Sequence, residues 1–197
     1  MKEISEIGRT EVHTILEEIQ NKFSSNILVY SSRIELILQF FELIVSKNQD
    51  QQVFIIDPKR IWKPSDSKYI KIIRPESVER LIKDISEMSN YFTRRTALIL
   101  VLDFFYYLRD YRGRKATDVA INTRIIAFIL AKLKNQNPNN IMTIIGGYQD
   151  PMRIDKPLGE TYFNYYNYSI VSIKNSQQSF SLSNSLGEEL ELKTKFL

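Results

Sequence analysis

Residues 26–41 read NILVYSSRIELILQFF. A strand-like apolar run, NILVY, passes through two serines into RIELILQFFELIV (33–45), where Ile34, Leu36, Ile37, Phe40, Phe41, Leu43 and Ile44 predict a largely buried helix. A short continuous apolar run is the habit of strands covered on both faces, as in parallel sheets. In many α/β proteins a glycine-rich loop at such a strand-to-helix junction holds a phosphate. Here there is no glycine and almost no loop, so strand is expected to close directly onto helix.

Working outward, the alternation continues. TEVHTILEEIQNK (10–22) places Val12, Ile15, Leu16 and Ile19 on one helical face, and QVFIID (52–57) is a second strand stopped by Pro58. YIKII (69–73) predicts a third strand. SVERLIKDISEMSNYF (77–92) is an amphipathic helix with Val78, Leu81, Ile82, Ile85 and Met88 aligned. ALILVLD (97–103) is the most apolar run and ends in an acid, TRIIAFILAKLKN (123–135) is a helix, and IMTII (141–145) is a strand. YSIVSIK (168–174) and QSFSLSNS (178–185) alternate by two and predict a hairpin, and LGEELELKTKFL shows weaker strand-like alternation. The tyrosine-rich run ETYFNYYNYS (160–169) is read as strand positions at the sheet edge, with a protein-binding surface as its alternative. The fold class expected is α/β: a mostly parallel sheet flanked by helices, with antiparallel C-terminal edge strands.

Composition bounds the chemistry. The 197 residues suit one domain, divided into an N-terminal helical segment (1–25), a core (26–185) and a C-terminal strand or tail (186–197). Net charge is 27 − 23 = +4, which permits nucleic-acid binding without requiring it. There is no cysteine, which removes disulfides, thiolate catalysis and Cys-ligated zinc. The one histidine, His13, makes His-rich metal sites and Ser–His–Asp chemistry poor expectations. No metal and no cofactor is expected. No apolar stretch reaches the ~18 residues of a membrane span, and MKEISEIGRT lacks a signal-peptide core, so a cytoplasmic protein without a membrane partner is expected.

In parallel sheets function gathers at the carboxyl ends of strands. Four such ends stand out: Tyr30–Arg33, Asp57–Trp62, Asp103 onward, and Gly146–Asp150. In order and spacing they resemble the core domain of the archaeal RadA/RadB recombinases, members of the RecA family. VFIIDPKRIWKP resembles the family stretch YIDTEGTFRP. ALILVLDFFYYLRDYRGRKATDVAINTRIIAFILAKL looks like the Walker B strand, first DNA-facing loop and long helix, and IMTIIGGYQDPMRIDKPLGETYFNYYNYSIVSI is similar to the strand, second DNA loop and RP-[IL]-GG segment. The resemblance covers roughly residues 26–185 and implies a RecA-like core. No match to the N-terminal helical domain of the full-length recombinases and no filament-linking F-x-x-A motif is evident, which fits a short paralogue.

Against the family's phosphate loop, G-x-x-x-x-G-K-[ST], this chain has YSSRI: Ser31 and Ser32 stand where the loop would be, Arg33 near the lysine and Ile34 near the hydroxyl residue, with several residues missing. Lys59 stands at or near the water-polarising glutamate, and a cation cannot serve as a base there. Gly146 and Gly147 replace the polar sensor, with Gln149 displaced. Asp103 alone survives, and without its partners it reads as a strand-end structural acid. The resemblance therefore implies a relative without ATP hydrolysis, with nucleotide binding at a composite interface supplied partly by another subunit as an open alternative. Its basic loops would be Arg109, Arg112, Arg114 and Lys115 in the first, with Tyr106, Tyr107 and Tyr111 nearby, and Arg153 and Lys156 in the second. Such cations on loops would bind DNA, single-stranded for preference, without regard to sequence. The partners implied are DNA, a RadA-type recombinase or another paralogue; the alternative is a structural subunit that binds only protein. Lys59, Arg60 and Lys63 around Trp62 form a further basic cluster, an interface anchor or a cover for the sheet end.

Overall fold

The computed structural model describes residues 15–48, 51–63, 67–92, 97–103, 116–136, 141–148, 160–175 and 179–193. In chain order the elements are α1 (Ile15–Lys22), β1 (Asn26–Ser31), α2 (Ile34–Lys47), β2 (Gln52–Ile56), β3 (Ile70–Ile73), α3 (Val78–Glu87) continued by a 3-10 turn (Met88–Tyr91), β4 (Ala97–Val101), α4 (Ala116–Gln136), β5 (Ile141–Tyr148), α5 (Glu160–Tyr165), β6 (Ser169–Asn175), β7 (Ser179–Asn184) and β8 (Glu189–Lys193). The strands form one sheet in the order β3-β2-β4-β5-β1-β6-β7-β8. β3 through β6 pair in parallel, and β7 runs antiparallel to β6 and β8. The fold is α/β, with a mostly parallel sheet and an antiparallel edge.

Strand alternation divides the core in two. Along β4, Leu98 and Leu100 face α1 and α2, while Ala97, Ile99 and Val101 face α3, α4 and α5. Every residue of β4 is buried, which is why its sequence shows no polar alternation. At β7 and β8 only one face is covered: Phe180, Leu182 and Leu192 join Val171 and Ile173 of β6 on the α1–α2 core, and Phe40 meets Phe180 edge-on at 5.8 Å, whereas Ile170 of β6 still packs on the other core. The opposite face of this extension is polar, with the hydroxyls of Ser172 and Ser183 2.9 Å apart and Ser179 donating to Glu191 at 2.6 Å. That explains the period of two in its sequence. The β7–β8 turn is closed by Asn184, whose side-chain oxygen accepts from the Leu186 and Glu188 amides, with Gly187 at φ 81.

Three expectations need correcting. Residues 160–165 are helix, not edge strand: Phe163 is fully buried and packs on Tyr168, so the apparent alternation came from aromatic content rather than from a sheet face. Helix α4 begins at Ala116 rather than 123; Ile121, the apolar residue just ahead of 123, is exposed and so gives no sign of an inward stripe. Strand β5 runs on through Gly146 and Gly147 to Tyr148, because β1 pairs with it along its length. Residues 10–14 of the first helical reading, His13 among them, lie outside the described residues.

Tyr168 is buried beneath the second core, beside Thr143, though no aligned hydrogen bond joins the two hydroxyls. Burial holds its phenol well above the usual tyrosine range, and the Thr143 hydroxyl offsets only part of that. An acid whose folded pKa is raised leaves the native state holding a proton that the unfolded chain releases. Stability should therefore fall as pH rises past about 10, the ordinary tyrosine value. Tyr168→Phe should flatten that alkaline decline in urea-unfolding midpoints; an unchanged decline would show that Tyr168 is not its source.

Candidate functional site

The sheet order sets β2, β4, β5 and β1 side by side, so the four strand ends singled out in the sequence share one edge of the molecule. From β1 the chain crosses toward β2 over one face with α2; it returns through α3, α4 and α5 over the other. Opposite directions on opposite faces are what a single crossover hand requires. The carboxyl ends of β1 and β5 therefore flank the point where the chain's exits diverge, the usual place for a ligand crevice in such sheets.

At β1 the exit is short. Ser31 ends the strand, Ser32 and Arg33 connect, and Ile34 opens α2. The Ser31 hydroxyl accepts from the Arg33 amide at 3.1 Å, and the Arg33 carbonyl accepts from Leu36 at 3.2 Å. Arg33 is the cap residue in extended conformation, φ −130 and ψ 113, with no side-chain cap bond. Ser32 and Arg33 face solvent and Ser31 is buried. Strand does close directly onto helix.

At β2 the exit is held by Asp57. Its fully buried carboxylate accepts from the Ile61 amide at 3.1 Å and the Trp62 amide at 2.9 Å. Arg74 lies 3.6 Å from the same carboxylate and donates to the Trp62 carbonyl at 2.8 Å. This wraps residues 57–62 into a tight hook, with Arg60 in the left-handed region at φ 58. Trp62 is buried in the α1–α2 core, so of the two sequence readings it covers the sheet end rather than standing out as an anchor.

The hook delivers Lys59 to β4. Its ammonium sits 2.9 Å from Asp103, whose side chain is fully buried while that of Lys59 is 28% exposed. Asp103 turns the chain out of the strand at φ 49, a conformation that aspartate tolerates better than most residues. The two positions are 44 residues apart (103 − 59), and the adjacency of β2 and β4 joins them. Lys63 is exposed, and the ion pair of Arg60 among the described residues is a long one, to the exposed Glu76 at 4.0 Å.

Gly146 lies on β5 directly beneath α2. A Cβ there would stand 2.4 Å from Ile37 Cγ2 and 3.3 Å from Phe41 Cζ, so the helix can approach the sheet only over a glycine. The position read as a missing polar sensor thus carries a packing role. Gly147 pairs with Tyr30 on β1.

No protein-family model matches the chain, and no curated protein does.

Of the sequence-derived candidates, the structure brings Lys59 and Asp103 together and leaves Arg33 on the β1 exit. Arg109, Arg112, Arg114, Lys115, Arg153 and Lys156 lie outside the described residues, as do Tyr106, Tyr107, Tyr111 and Gln149. Asp57 and Arg74 as loop organisers were missed; the signal was an acid at a strand end followed by Pro58, a common turn opening. No helix among the described residues is long and apolar enough to cross a membrane.

A carboxylate at a strand end beside a switch point can hold a divalent cation. Here a lysine ammonium occupies that role. Lys59→Met would leave Asp103 without this counter-ion, and the expected cost is about 2 kcal/mol, below the range for fully buried pairs because Lys59 is partly hydrated. Lys59→Met with Asp103→Asn should recover most of it; equal instability of the single and double variants in urea titrations would refute the pairing.

Proposed function

We propose that the chain is a nucleotide-independent paralogue of the RadA-type recombinases that binds single-stranded DNA, or docks on a recombinase or sister paralogue, and so modulates filament assembly in homologous recombination and DNA repair. The observation that carries the loss of ATP chemistry is the Lys59 ammonium on Asp103, where a catalytic relative would direct its acid to Mg²⁺. The two-residue connection Ser32–Arg33 supports it further, since a phosphate cradle needs several successive backbone amides turned inward. The DNA branch rests on the order of the sequence segments and on the basic residues of 109–115 and 153–156.

Fluorescence anisotropy with a labelled oligothymidine across a salt series tests it, with and without ATP and Mg²⁺. The expected result is affinity that falls steeply with salt, is indifferent to nucleotide, and is lost when Arg112, Arg114, Arg153 and Lys156 are reversed to glutamate. DNA affinity absent together with recombinase association would remove both branches. Tight ATP binding by this chain alone would remove the nucleotide-independent reading. A purely protein-binding subunit is the second reading, favoured by the apolar surface on α4; unaltered DNA association and repair after the charge reversals would select it.

A further inference from the structure

Three adjacent strands carry buried polar side chains at one level of the sheet, near their amino ends. Asn26 on β1 pairs with Thr143 on β5, and Ile27 with Ser169 on β6, so Tyr168 comes level with Asn26 on the other side. The same row continues through Ile99 on β4 to Phe54 on β2, both apolar. Asn26 stands two residues before Leu28, and Thr143 two from Ile141 and from Ile145, so both point into the core to which Tyr168 belongs. All three are buried, and the fully buried Phe163 of α5 packs edge-on against Tyr168 at 5.2 Å.

The backbone amides here are paired: that of Thr143 donates to the Ser25 carbonyl at 2.9 Å and that of Tyr168 to the Phe163 carbonyl at 3.0 Å. The side chains are not. Asn26 Oδ1, Thr143 Oγ1 and Tyr168 Oη are shut off from solvent, and none has a hydrogen-bond partner among the described residues. The Tyr168 phenol lies beside Thr143, two strands away, so its side chain spans β1 at the level of Asn26. The three groups ask for different things: the phenol must donate, the amide oxygen can only accept, and the threonine hydroxyl does either. A bond between the two hydroxyls would still leave Asn26 Oδ1 alone, and turning the Asn26 amide over exchanges an acceptor for a donor in the same place. A metal cation takes acceptors only and leaves the phenol proton facing it. The buried carboxylates that could balance its charge, Asp57 and Asp103, stand beyond the opposite ends of β2 and β4. Internal water both donates and accepts, and it makes about three bonds to buried groups of this kind.

We infer that Asn26, Thr143 and Tyr168 form a binding site for one internal water molecule, which accepts the phenol proton and donates to Asn26 Oδ1, while the Thr143 hydroxyl, free to turn, takes a remaining place. The water ties β1 to both of its neighbours at the end where its pairing begins. It also marks the register, because a slip of β1 by one residue carries Asn26 to the other core. The inference is independent of the proposed function, since it uses none of the residues at the carboxyl ends of the strands.

The test is a crystal structure of the full chain at a resolution that shows ordered water, repeated on the double variant Thr143→Val with Tyr168→Phe. Wild-type density should hold one peak within hydrogen-bonding reach, about 2.5–3.2 Å, of Asn26 Oδ1, Thr143 Oγ1 and Tyr168 Oη. In solution, water-selective NMR should give a cross-peak from the Thr143 methyl to a water held longer than those of the surface. The double variant removes two of the three polar groups while nearly keeping their shapes, and its density peak should be lost. A wild-type structure with no peak overturns the inference. So does a direct Tyr168–Thr143 bond with Asn26 Oδ1 paired to another protein group, or a peak whose contacts are those of a metal ion. These outcomes are read on the wild-type chain and stand even if the variant fails to fold. A peak that survives unchanged in the double variant also overturns it, since the water would then be held by other groups.

Discussion

Gly146→Val should be the most damaging single substitution in the sheet, costing more than about 3 kcal/mol, with Gly146→Ala costing about 1–3 kcal/mol. A Cβ at 2.4 Å from Ile37 Cγ2 cannot be accommodated by a rotamer change alone, since Ile37 and Phe41 are themselves fully buried and the same Cβ would stand 3.4 Å from the Val101 carbonyl oxygen. Helix α2 must then lift from the sheet, loosening the core that also contains Phe40 and Ile44. Against a typical total of about 5–15 kcal/mol, this is a large fraction of the fold's stability. Urea unfolding of Gly146→Ala measures it, and Ile37→Ala in the same background should return part of the loss as a favourable coupling energy. A wild-type midpoint for Gly146→Ala would mean that α2 does not rest on β5 as described.

Asp57→Ala should come next, at about 3 kcal/mol or more. The cost arises chiefly from the Ile61 and Trp62 amides, which lose a buried acceptor. The Arg74 contribution is smaller, because at 3.6 Å and 35% exposure it is a long and hydrated ion pair. Asp57→Asn should fall between, since its amide oxygen accepts one bond while its NH₂ meets a donor. The chain has a single tryptophan, so emission reports the hook directly. In Asp57→Ala, Trp62 emission should shift to the red at urea concentrations below the global transition. A single coincident transition by fluorescence and circular dichroism would show that the hook does not depend on Asp57.

These two residues also mark how far the sequence could be read. Strands β1, β2 and β4 were legible because full burial leaves uninterrupted apolar runs, and β6 and β7 because one face is polar. The glycines of β5 hid the end of its strand: Gly146 answers to the helix above it, a contact that local patterning does not encode. The tyrosines of 160–165 misled for the same reason, since aromatic residues favour strands on average and only the packing of Phe163 assigns them to a helix. At the strand ends, Lys59 and Asp103 were each visible as departures from a motif. Their contact was not, because it depends on which strands are neighbours, and that is fixed by crossovers rather than by spacing. Asp57 as the organiser of the hook shares that limit: its acceptor role needs the chain to double back onto it.

Strand order also governs when the sheet can close during synthesis. β1 lies between β5 and β6, and its first paired residue, Asn26, meets Thr143, 117 residues later (143 − 26). At about 5–20 residues per second on a ribosome, that interval is roughly 6–23 s. Through it NILVYS is a nascent strand with neither neighbour yet made, and its apolar run is the segment most exposed to pairing with another chain. A chaperone that shields nascent apolar segments would act on this window.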